Sequence, residues 1–495
     1  MASFFFHSND GDSLPVVQRL IREGHTARMY IANKESKKVG EGLVPKATSL
    51  SPKKGDIIVF DMTGYGKVAD LMRKQGYQVI GGSHLADQLE RDRGFAMTVM
   101  RNADIPVPET VEFRDLRDAD RFLSKRNPAE GWYIKPFGEN DCSDTYGAKD
   151  VAEMVRWFDS IREAGLVPKR FLLQKKMKDS SALSFEGWFD GDKWVLPWNS
   201  TIEDKKLFVG DVGPNTGWMA NLVWAYEQKM PKLAMKTLAR LASLLRGRYC
   251  GPIDINVIFD EKGEPHGLEF TPRFGYGAIQ ALMLLVGGDF GAQLAGFAAG
   301  RLHSFQVATD QYSLAINVST PPFPSEASEA AGRRIDPRIL YDPIRIMPAD
   351  IMVIEGMPTI TGRDAGVAAF GDVWHDLDEL RSMVLGRIKD YAIPMAQYRT
   401  DPVKRAESVF AHLGKYDYEV PTPRPEEYRT VRPEEAVEIS PEREGRFDID
   451  RNSPAAFEEA ASARGGANPP TSGSSPGTGA GFGDSPSLDI PTFGR

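Results

Sequence analysis

The stretch IDINVIFDEKGEPHGLEF, residues 253–270, gives the clearest indication of how the middle of this 495-residue chain folds. Apolar and polar residues alternate on both sides of a Lys-Gly pair, which predicts two antiparallel strands joined by a tight turn. Asp254 and Asn256 then share one face of the first strand, and Glu269 and Thr271 share one face of the returning strand. Oxygen ligands that converge in this way suit Mg²⁺. By pattern alone, however, an ordinary solvated sheet face is the favoured interpretation.

The first hundred residues alternate strand-like and helix-like patterns. Apolar strand-like runs begin near residues 3, 27, 56 and 77. One helix-like stretch that ends at a glycine lies between the first and second runs, and another lies between the third and fourth. This β-α-β order predicts a parallel sheet with helices on its faces. Further along the chain, residues 232–246 have the spacing of a single amphipathic helix.

Composition limits the classes of function. Hydrophobic residues make up 41% and charged residues 26% of the chain, and its net charge of −8 argues against broad binding to nucleic acid. Two cysteines and the lack of a long apolar run lead us to expect a cytoplasmic protein with no membrane partner. Residues 420–495 are rich in proline, glycine, serine and charge, which predicts a disordered low-complexity tail. Such a tail is also a candidate segment for binding an unknown protein.

Three further features have a functional and a structural interpretation. Lys135 is the only charged residue of an apolar strand, so it either directs charge at a nucleotide phosphate or protects an edge strand. Residues 211–217, DVGPNTG, are expected to form a tight loop that faces an anion, or a plain turn. Asp10 and Ser13 lie between the first strand and helix, where they meet a ligand or, for Ser13, only cap the helix.

Taken in order, these segments resemble the phosphoribosylamine–glycine ligase family, ATP-grasp enzymes of purine synthesis, as far as about residue 415. KKLFVGDVGPNTGWMA, residues 205–220, is similar to the family's D-x-G-P-N-T-G-G-M loop. GLEFTPRFGYGAIQ, residues 267–280, is similar to its V-I-E-F-N-x-R-F-G-D-P-E-x-Q strand and loop. Supporting stretches are IGGSHLADQLERDRGFAMTVM, IKPFG and GVAAFGDVWHDLDELRSMVLGRI.

The resemblance implies a multidomain chain of the α/β and α+β classes. Its parts are an N-terminal Rossmann-like domain over residues 1–100, a central ATP-grasp domain over 101–310 and a small C-terminal domain over 311–419. The implied activity is ATP-dependent ligation, in which a carboxylate becomes an acyl phosphate and is joined to an amine, with Mg²⁺ or Mn²⁺ as the metal. The expected partners are two small molecules, an amino acid such as glycine and an amine. A modified nucleotide also fits the role of a substrate.

The residue patterns and the resemblance together define the expected site. The chemical step is assigned to Arg273 and Lys135. The expected nucleotide contacts are Lys135, Arg93, Gln174, Lys175 and Met177. The expected metal ligands are Glu269, Asn256, Asp254 and Thr271. The expected substrate contacts are Asn215, Thr216, Asp10 and Ser13.

The chain departs from the family mainly at positions for substrate and nucleotide recognition. The replacements are Thr271 for a metal-site asparagine, Arg93 for a lysine, GENDCSDTYGAKD for a G-K-G loop, Lys175 and Lys176 for an acidic pair, Tyr276-Gly277-Ala278 for D-P-E, and SNDGDSLP for G-N-G-G-R-E-H-A. We therefore expect a diverged ligase, in which Asp10 and Asp12 make phosphoribosylamine a poor substrate. The alternatives are the purine-pathway ligase itself and an inactive ATP-grasp scaffold.

Overall fold

The computed structural model describes residues 1–136, 145–177, 181–325 and 327–421, and both the predicted tail beyond 421 and most of the polar stretch 138–150 lie outside them. None of the described helices is long and apolar enough to cross a bilayer. The strands are β1 (Ser3–Ser8), β2 (Thr26–Ile31), β3 (Ile57–Phe60), β4 (Gln78–Ile80), β5 (Thr110–Phe113), β6 (Trp132–Pro136), β7 (Tyr146–Ala148), β8 (Phe171–Lys175), β9 (Ala182–Phe189), β10 (Trp194–Phe208), β11 (Val212–Ala225), β12 (Gly251–Phe259), β13 (Pro265–Thr271), β14 (Tyr312–Ser319), β15 (Ile346–Pro348), β16 (Ile351–Ile354), β17 (Met357–Ile360) and β18 (Gly366–Trp374). The α-helices are α1 (Leu14–Arg22), α2 (Gly66–Lys74), α3 (His84–Arg91), α4 (Arg93–Asn102), α5 (Leu116–Leu123), α6 (Val151–Glu163), α7 (Lys232–Lys236), α8 (Ala242–Leu245), α9 (Ala278–Leu285), α10 (Phe290–Ala298), α11 (Leu377–Lys389) and α12 (Ala406–Lys415).

The N-terminal strands form a parallel sheet in the order β2-β1-β3-β4, which confirms the β-α-β prediction. Phe4, Phe5 and Phe6 are all fully buried. Successive strand residues point to opposite faces, so Phe4 and Phe6 join one core cluster while Phe5 joins another. Both faces of the sheet are therefore covered, as expected of an α/β layer.

The middle of the chain builds two antiparallel sheets. Strands β5, β8, β6 and β7 form a four-stranded sheet in that order. Its apolar face packs against α5 and α6 in a core cluster of its own, which includes Trp132, Phe158 and Phe171. The second sheet has eight strands in the order β13-β12-β9-β10-β11-β14-β18-β15.

The eight-stranded sheet continues from the central region into the C-terminal region. Strand β11 pairs with β14, and β14 pairs with β18, all antiparallel. The largest core cluster correspondingly runs from Leu85 on α3 to Tyr418 near the end of the described chain. The domain boundaries at residues 100 and 310 stay predictions.

Two local predictions are wrong. Residues 232–246 do not form one helix, because Thr237 has the non-helical backbone angles φ −132° and ψ −108° and its hydroxyl donates to the carbonyl of Leu233 at 2.6 Å. Helix α7 therefore ends at residue 236, and a 3₁₀ turn and the short α8 follow. The predicted loop at 211–217 is extended, because β11 begins at Val212 and pairs with β10.

Candidate functional site

The hairpin β12–β13 brings the four predicted metal ligands opposite one another. Asn256 lies opposite Glu269, and Asp254 lies opposite Thr271. The side-chain amide of Asn256 donates to Oε1 of Glu269 at 3.2 Å. Asp254 is only 7% exposed, so this is not a solvated sheet face.

Strand β9 adds polar groups that sequence reasoning missed. Glu186 lies opposite Asp254, and the hydroxyl of Ser184 donates to Oδ1 of Asn256 at 2.5 Å. Burial raises the pKa of Glu186 to about 7, and burial followed by repulsion from Glu186 raises the pKa of Asp254 well above its ordinary value. Oδ1 of Asp254 is buried with no hydrogen-bond partner among the described residues. Buried acidic oxygens in such a cluster need a cation, and the lone acid in the apolar run LSFEGWF was the available signal for Glu186.

Glu269 lies within a group of positive charges. Burial alone would raise the pKa of Glu269, but these cations outweigh burial and hold the pKa below its ordinary value. In order of their effect they are Lys205, Lys135, Arg93 and Arg273. Lys205 is on the eight-stranded sheet and Lys135 is on the four-stranded sheet, so side chains of both sheets act on one carboxylate. Sequence reasoning missed Lys205.

Lys135 lies on an interior strand. Strand β6 pairs with β8 on one side and with β7 on the other. An edge-protecting lysine belongs on an outer strand, so that alternative is wrong. The functional interpretation of Lys135 stays a prediction, now with a defined position opposite the acidic cluster.

Arg273 is anchored by a carboxylate from the N-terminal region. Its Nε donates to Oε1 of Glu90 on α3 at 2.9 Å, and its guanidinium carbon lies 4.3 Å from the ring centre of Tyr276. Burial would lower the pKa of Arg273, but the charge of Glu90 and its hydrogen bond, with the other groups around the guanidinium, outweigh burial and raise the pKa. Arg273 is therefore held as a permanent cation beside the acidic cluster.

The predicted nucleotide contacts divide into two groups. Arg93 is the first residue of α4, and its Nη1 is buried with no partner in the described part of the chain. Gln174 donates to the hydroxyl of Thr110 at 3.1 Å, and Lys175 forms an ion pair with Glu130 at 2.6 Å. Gln174 thus bonds to a residue of the same sheet, and Lys175 bonds to a residue just before β6. The half-buried Met177 follows just beyond β8. Arg93, in contrast, acts on Glu269.

A cavity of about 520 Å³ adjoins this site. It is lined by residues from the turn after β1, from β11, from the start of α9 and from the C-terminal region. Of the predicted substrate loop, Thr216 anchors its hydroxyl to the carbonyl of Lys205 at 2.8 Å, while Asn215 pairs with Lys206. The next two residues, Gly217 and Trp218, reach the cavity wall.

The departure from D-P-E has a packing reason at Gly277, which starts α9 beside the cavity. Gly277 has a φ of +70°, and a Cβ at this position would lie 2.2 Å from the amide nitrogen of Asn221 and 2.3 Å from the Trp218 ring. Only glycine combines this backbone conformation with such a close approach. Gly277 thus lets Trp218 and Tyr276 share one end of the cavity.

The two predicted contacts in the first turn are placed differently. Asp10 lines the cavity, but its carboxylate accepts hydrogen bonds from Asn33 at 2.6 Å and Ser36 at 2.8 Å. Ser13 precedes α1 and is 2% exposed, and its side chain makes no capping bond. Ser13 instead donates its backbone N–H to Asp61, so it supports the turn from behind the cavity wall.

Asp61 lies buried beside the turn that leads into α1. Its carboxylate accepts the backbone N–H groups of Asn9 and Ser13, both at 3.3 Å. Burial raises the pKa of Asp61 to about 7, and the nearby carboxylate of Asp12 adds to the shift. Sequence reasoning missed this residue, which follows strand β3 directly.

The pKa of Asp61 predicts a pH dependence of folding stability. Because burial raises the pKa of Asp61 from 3.8 to about 7, its contribution to stability is complete below about pH 4 and is lost as the pH rises through 7. Relative to Asp61→Asn, the wild-type free energy of unfolding should fall by roughly 2–4 kcal/mol between pH 4 and pH 7.5. Urea denaturation at four pH values measures this difference. Parallel pH profiles for the two proteins would contradict the assignment.

Glu23, His25 and Asp289 form a second cluster of metal-ligand types. Nδ1 of His25 accepts the backbone N–H of Ala2 at 3.0 Å, so Nε2 carries the hydrogen and donates to Asp289 at 2.7 Å. Glu23 forms an ion pair with Arg19 at 2.8 Å. Both ring nitrogens are therefore engaged, and the cluster is structural.

Comparison with known proteins agrees with the fold and the motifs. No family model matches the chain. The phosphoribosylamine–glycine ligase of Neisseria meningitidis serogroup A is 26% identical over 248 residues, which cover 48% of this chain and 57% of that protein. The match spans 57% of that protein's length, 53% of the Salmonella typhimurium enzyme of the same name and 80% of the Caldanaerobacter subterraneus one.

Solved structures show the same architecture. The phosphoribosylamine–glycine ligase of Thermotoga maritima superposes with a TM-score of 0.63 and 17% identity, over 81% of this chain and 100% of that one. The biotin carboxylase domain of Hydrogenobacter thermophilus 2-oxoglutarate carboxylase, in complex with MgADP, ADP and bicarbonate, gives a TM-score of 0.56 and 14% identity, over 80% and 92%. The chain thus has the ATP-grasp fold, and its sequence is similar to the phosphoribosylamine–glycine ligases.

Proposed function

We propose that this protein is an ATP-dependent carboxylate–amine ligase that forms a C–N bond through an acyl phosphate. The observation that carries the proposal is the meeting of Glu269 with cations from both antiparallel sheets. Acidic groups on one side and fixed positive charges on the other suit phosphoryl transfer, which depends on positioning and electrostatics rather than on a protein nucleophile. The names of the relatives and structural neighbours support this class of reaction.

The residues present fit a divalent cation. Glu269 and Asp254, with Asn256 beside them, would hold Mg²⁺ or Mn²⁺, and the unpartnered buried Oδ1 of Asp254 is the observation that supports this fit. Thr271 is opposite Asp254 and would be a weaker ligand. Such a metal would neutralise charge on the phosphate oxygens of ATP.

The reaction has two balanced steps. The substrate carboxylate attacks the γ-phosphorus of ATP, ADP leaves with the electron pair of the broken P–O bond, and an acyl phosphate forms. The amine nitrogen then attacks the acyl carbon, phosphate leaves with the C–O electron pair, and the nitrogen loses a proton as the amide forms. Lys135, Lys205 and Arg93 would hold the phosphates, and Arg273 would face the charge that develops on the reacting groups.

The second candidate function is phosphoribosylamine–glycine ligation itself, which the names of the curated relatives favour. The two candidates share the activation step and differ in the amine. ADP release with glycine and freshly generated phosphoribosylamine separates them. Turnover typical of a metabolic enzyme, on the order of 1–10³ s⁻¹, would restore the purine-pathway function.

Carboxylate activation can be tested before the amine is known. Hydroxylamine captures acyl phosphates as hydroxamates, so the purified protein with ATP, Mg²⁺ and a panel of amino acids including glycine should release ADP and form hydroxamate in equal amounts. We expect both products to depend on one carboxylate and to be absent from the Glu269→Gln variant. No ADP release with any carboxylate would favour the inactive scaffold, and ATP hydrolysis that no carboxylate stimulates would contradict the ligase proposal.

A further inference from the structure

The charged groups that line the 520 Å³ cavity are predominantly acidic. Three carboxylates, those of Asp10, Asp12 and Asp364, line it, and Arg363 is the one cation among the described lining residues. Two negative charges are therefore left without a matching positive charge at the cavity wall.

The guanidinium of Arg363 is already committed to the protein. Its Nη1 donates to Oδ1 of Asp12 at 2.9 Å and to the carbonyl of Asp10 at 3.0 Å. Its Nε and Nη2 donate to Oδ2 of Asp364 at 3.1 and 2.7 Å. An arginine binds a phosphate best through two parallel hydrogen bonds, for which its guanidinium must be free. A phosphate that bound Arg363 in this way would break its bonds to Asp12 or Asp364.

Several backbone donors of the turn that leads into α1 are already engaged within the protein. The N-terminus of a helix binds anions through its free N–H groups, and α1 begins at this cavity, where Gly11, Asp12 and Pro15 line the wall. The carboxylate of Asp61 already accepts the N–H groups of Asn9 and Ser13 there. In a phosphate-binding turn such N–H groups would point at the phosphate. Here two of them already donate to the carboxylate of Asp61.

One neutral polar group of the wall is an amide whose oxygen lacks a hydrogen-bond partner among the described residues. Gln280 lines the cavity, is 7% exposed, and its Oε1 has no partner among the described residues. The rest of the wall includes the apolar surfaces of Phe323, Met347 and Pro348. Acceptors beside an apolar wall suit an alkyl chain that carries hydrogen-bond donors.

We infer that the amine substrate of this ligase is an aliphatic diamine or polyamine without a phosphate group. The inference rests on the proposed function and names the amine that the acyl group is transferred to. One ammonium group binds at Asp12 and Asp364, the methylene chain lies on the apolar wall, and the other nitrogen, deprotonated, is the nucleophile. The three carboxylates of Asp10, Asp12 and Asp364 against the single cation of Arg363 disfavour a phosphorylated sugar amine by repulsion.

Calorimetric titration of the full-length protein without nucleotide tests this inference. The ligands are 1,4-diaminobutane, spermidine, butylamine, ribose 5-phosphate and inorganic phosphate. We expect the two polyamines to bind at least tenfold more tightly than butylamine and more weakly as salt rises from 50 to 300 mM, and we expect neither phosphate to displace bound 1,4-diaminobutane. Displacement of the diamine by ribose 5-phosphate, or no binding of either polyamine, would overturn the inference.

Variants locate the binding. Asp12→Asn should weaken diamine binding at least fivefold, while Asp118→Asn, the same change on the exposed face of α5, should leave it unaltered. If Asp12→Asn unfolds, Gln280→Leu replaces it, with the same expected direction. Unchanged affinity in a folded cavity variant would refute this location. Because no ATP is present, failure here is distinct from failure of the ligase proposal, which would appear as a lack of carboxylate-dependent hydroxamate.

Discussion

Glu269→Gln is expected to lower carboxylate-dependent ADP release by about 10³-fold or more, the scale seen when a main electrostatic group of a catalytic site is lost. Glutamine keeps the size of the side chain and removes the negative charge that faces Lys205, Lys135, Arg93 and Arg273. The metal would then lose its principal ligand, and the four cations would repel one another without a shared anion.

The control for this variant is Glu163→Gln, the same change at the exposed end of α6. It should retain wild-type turnover. Circular dichroism and thermal unfolding of both proteins separate loss of the site from loss of the fold. Wild-type turnover by a folded Glu269→Gln protein would remove Glu269 from the mechanism and leave the acidic cluster without an assigned role.

Arg273→Ala is expected to reduce both activity and stability. The stability effect arises because the Glu90 carboxylate, whose Oε2 already lacks a partner among the described residues, would lose its ion pair at 2.9 Å. Removing one partner of a largely buried pair costs about 3 kcal/mol. The activity effect, about 10²-fold or more, arises because the fixed charge beside Tyr276 and the acidic cluster disappears.

Arg273→Lys and a double-mutant cycle with Glu90→Gln distinguish the two effects. Lysine keeps the charge but not the planar fork, so most of the stability should return while turnover recovers only partly. In the cycle, the losses of stability should be clearly less than additive. Additive losses would show that the two side chains do not interact, and full activity in Arg273→Ala would rule out a role in the chemical step.

The sequence predicted those features that depend on local pattern. The alternation around Asp254 and Glu269 fixed their shared faces because strand side chains have a period of two. The apolar runs around Phe5 and Ile58 predicted a parallel sheet because helix-like segments alternate with them along the chain. Helix 232–246 failed because Thr237 can satisfy its hydroxyl on the preceding turn, a local competition that apolar spacing does not report.

The sequence did not predict contacts that join distant segments. Arg363 reaches Asp12 across 351 positions, and Arg273 reaches Glu90 across 183. Neither pairing leaves a periodic signal, because only the tertiary fold brings these segments together. The acidic character of the cavity was anticipated at Asp10 and Asp12, but the third carboxylate, Asp364, and the ion pairs of Arg363 are visible only in the tertiary structure.

The continuous eight-stranded sheet limits how the chain can be dissected. In a fragment that stops at residue 310, strand β11 would lose β14, which pairs with its residues 220–223. Those backbone groups would then form a bare edge, which is a template for association with other chains and for aggregation. Fragments meant for isolated study should therefore retain residues 311–421, whatever the domain boundary at 310 means for function.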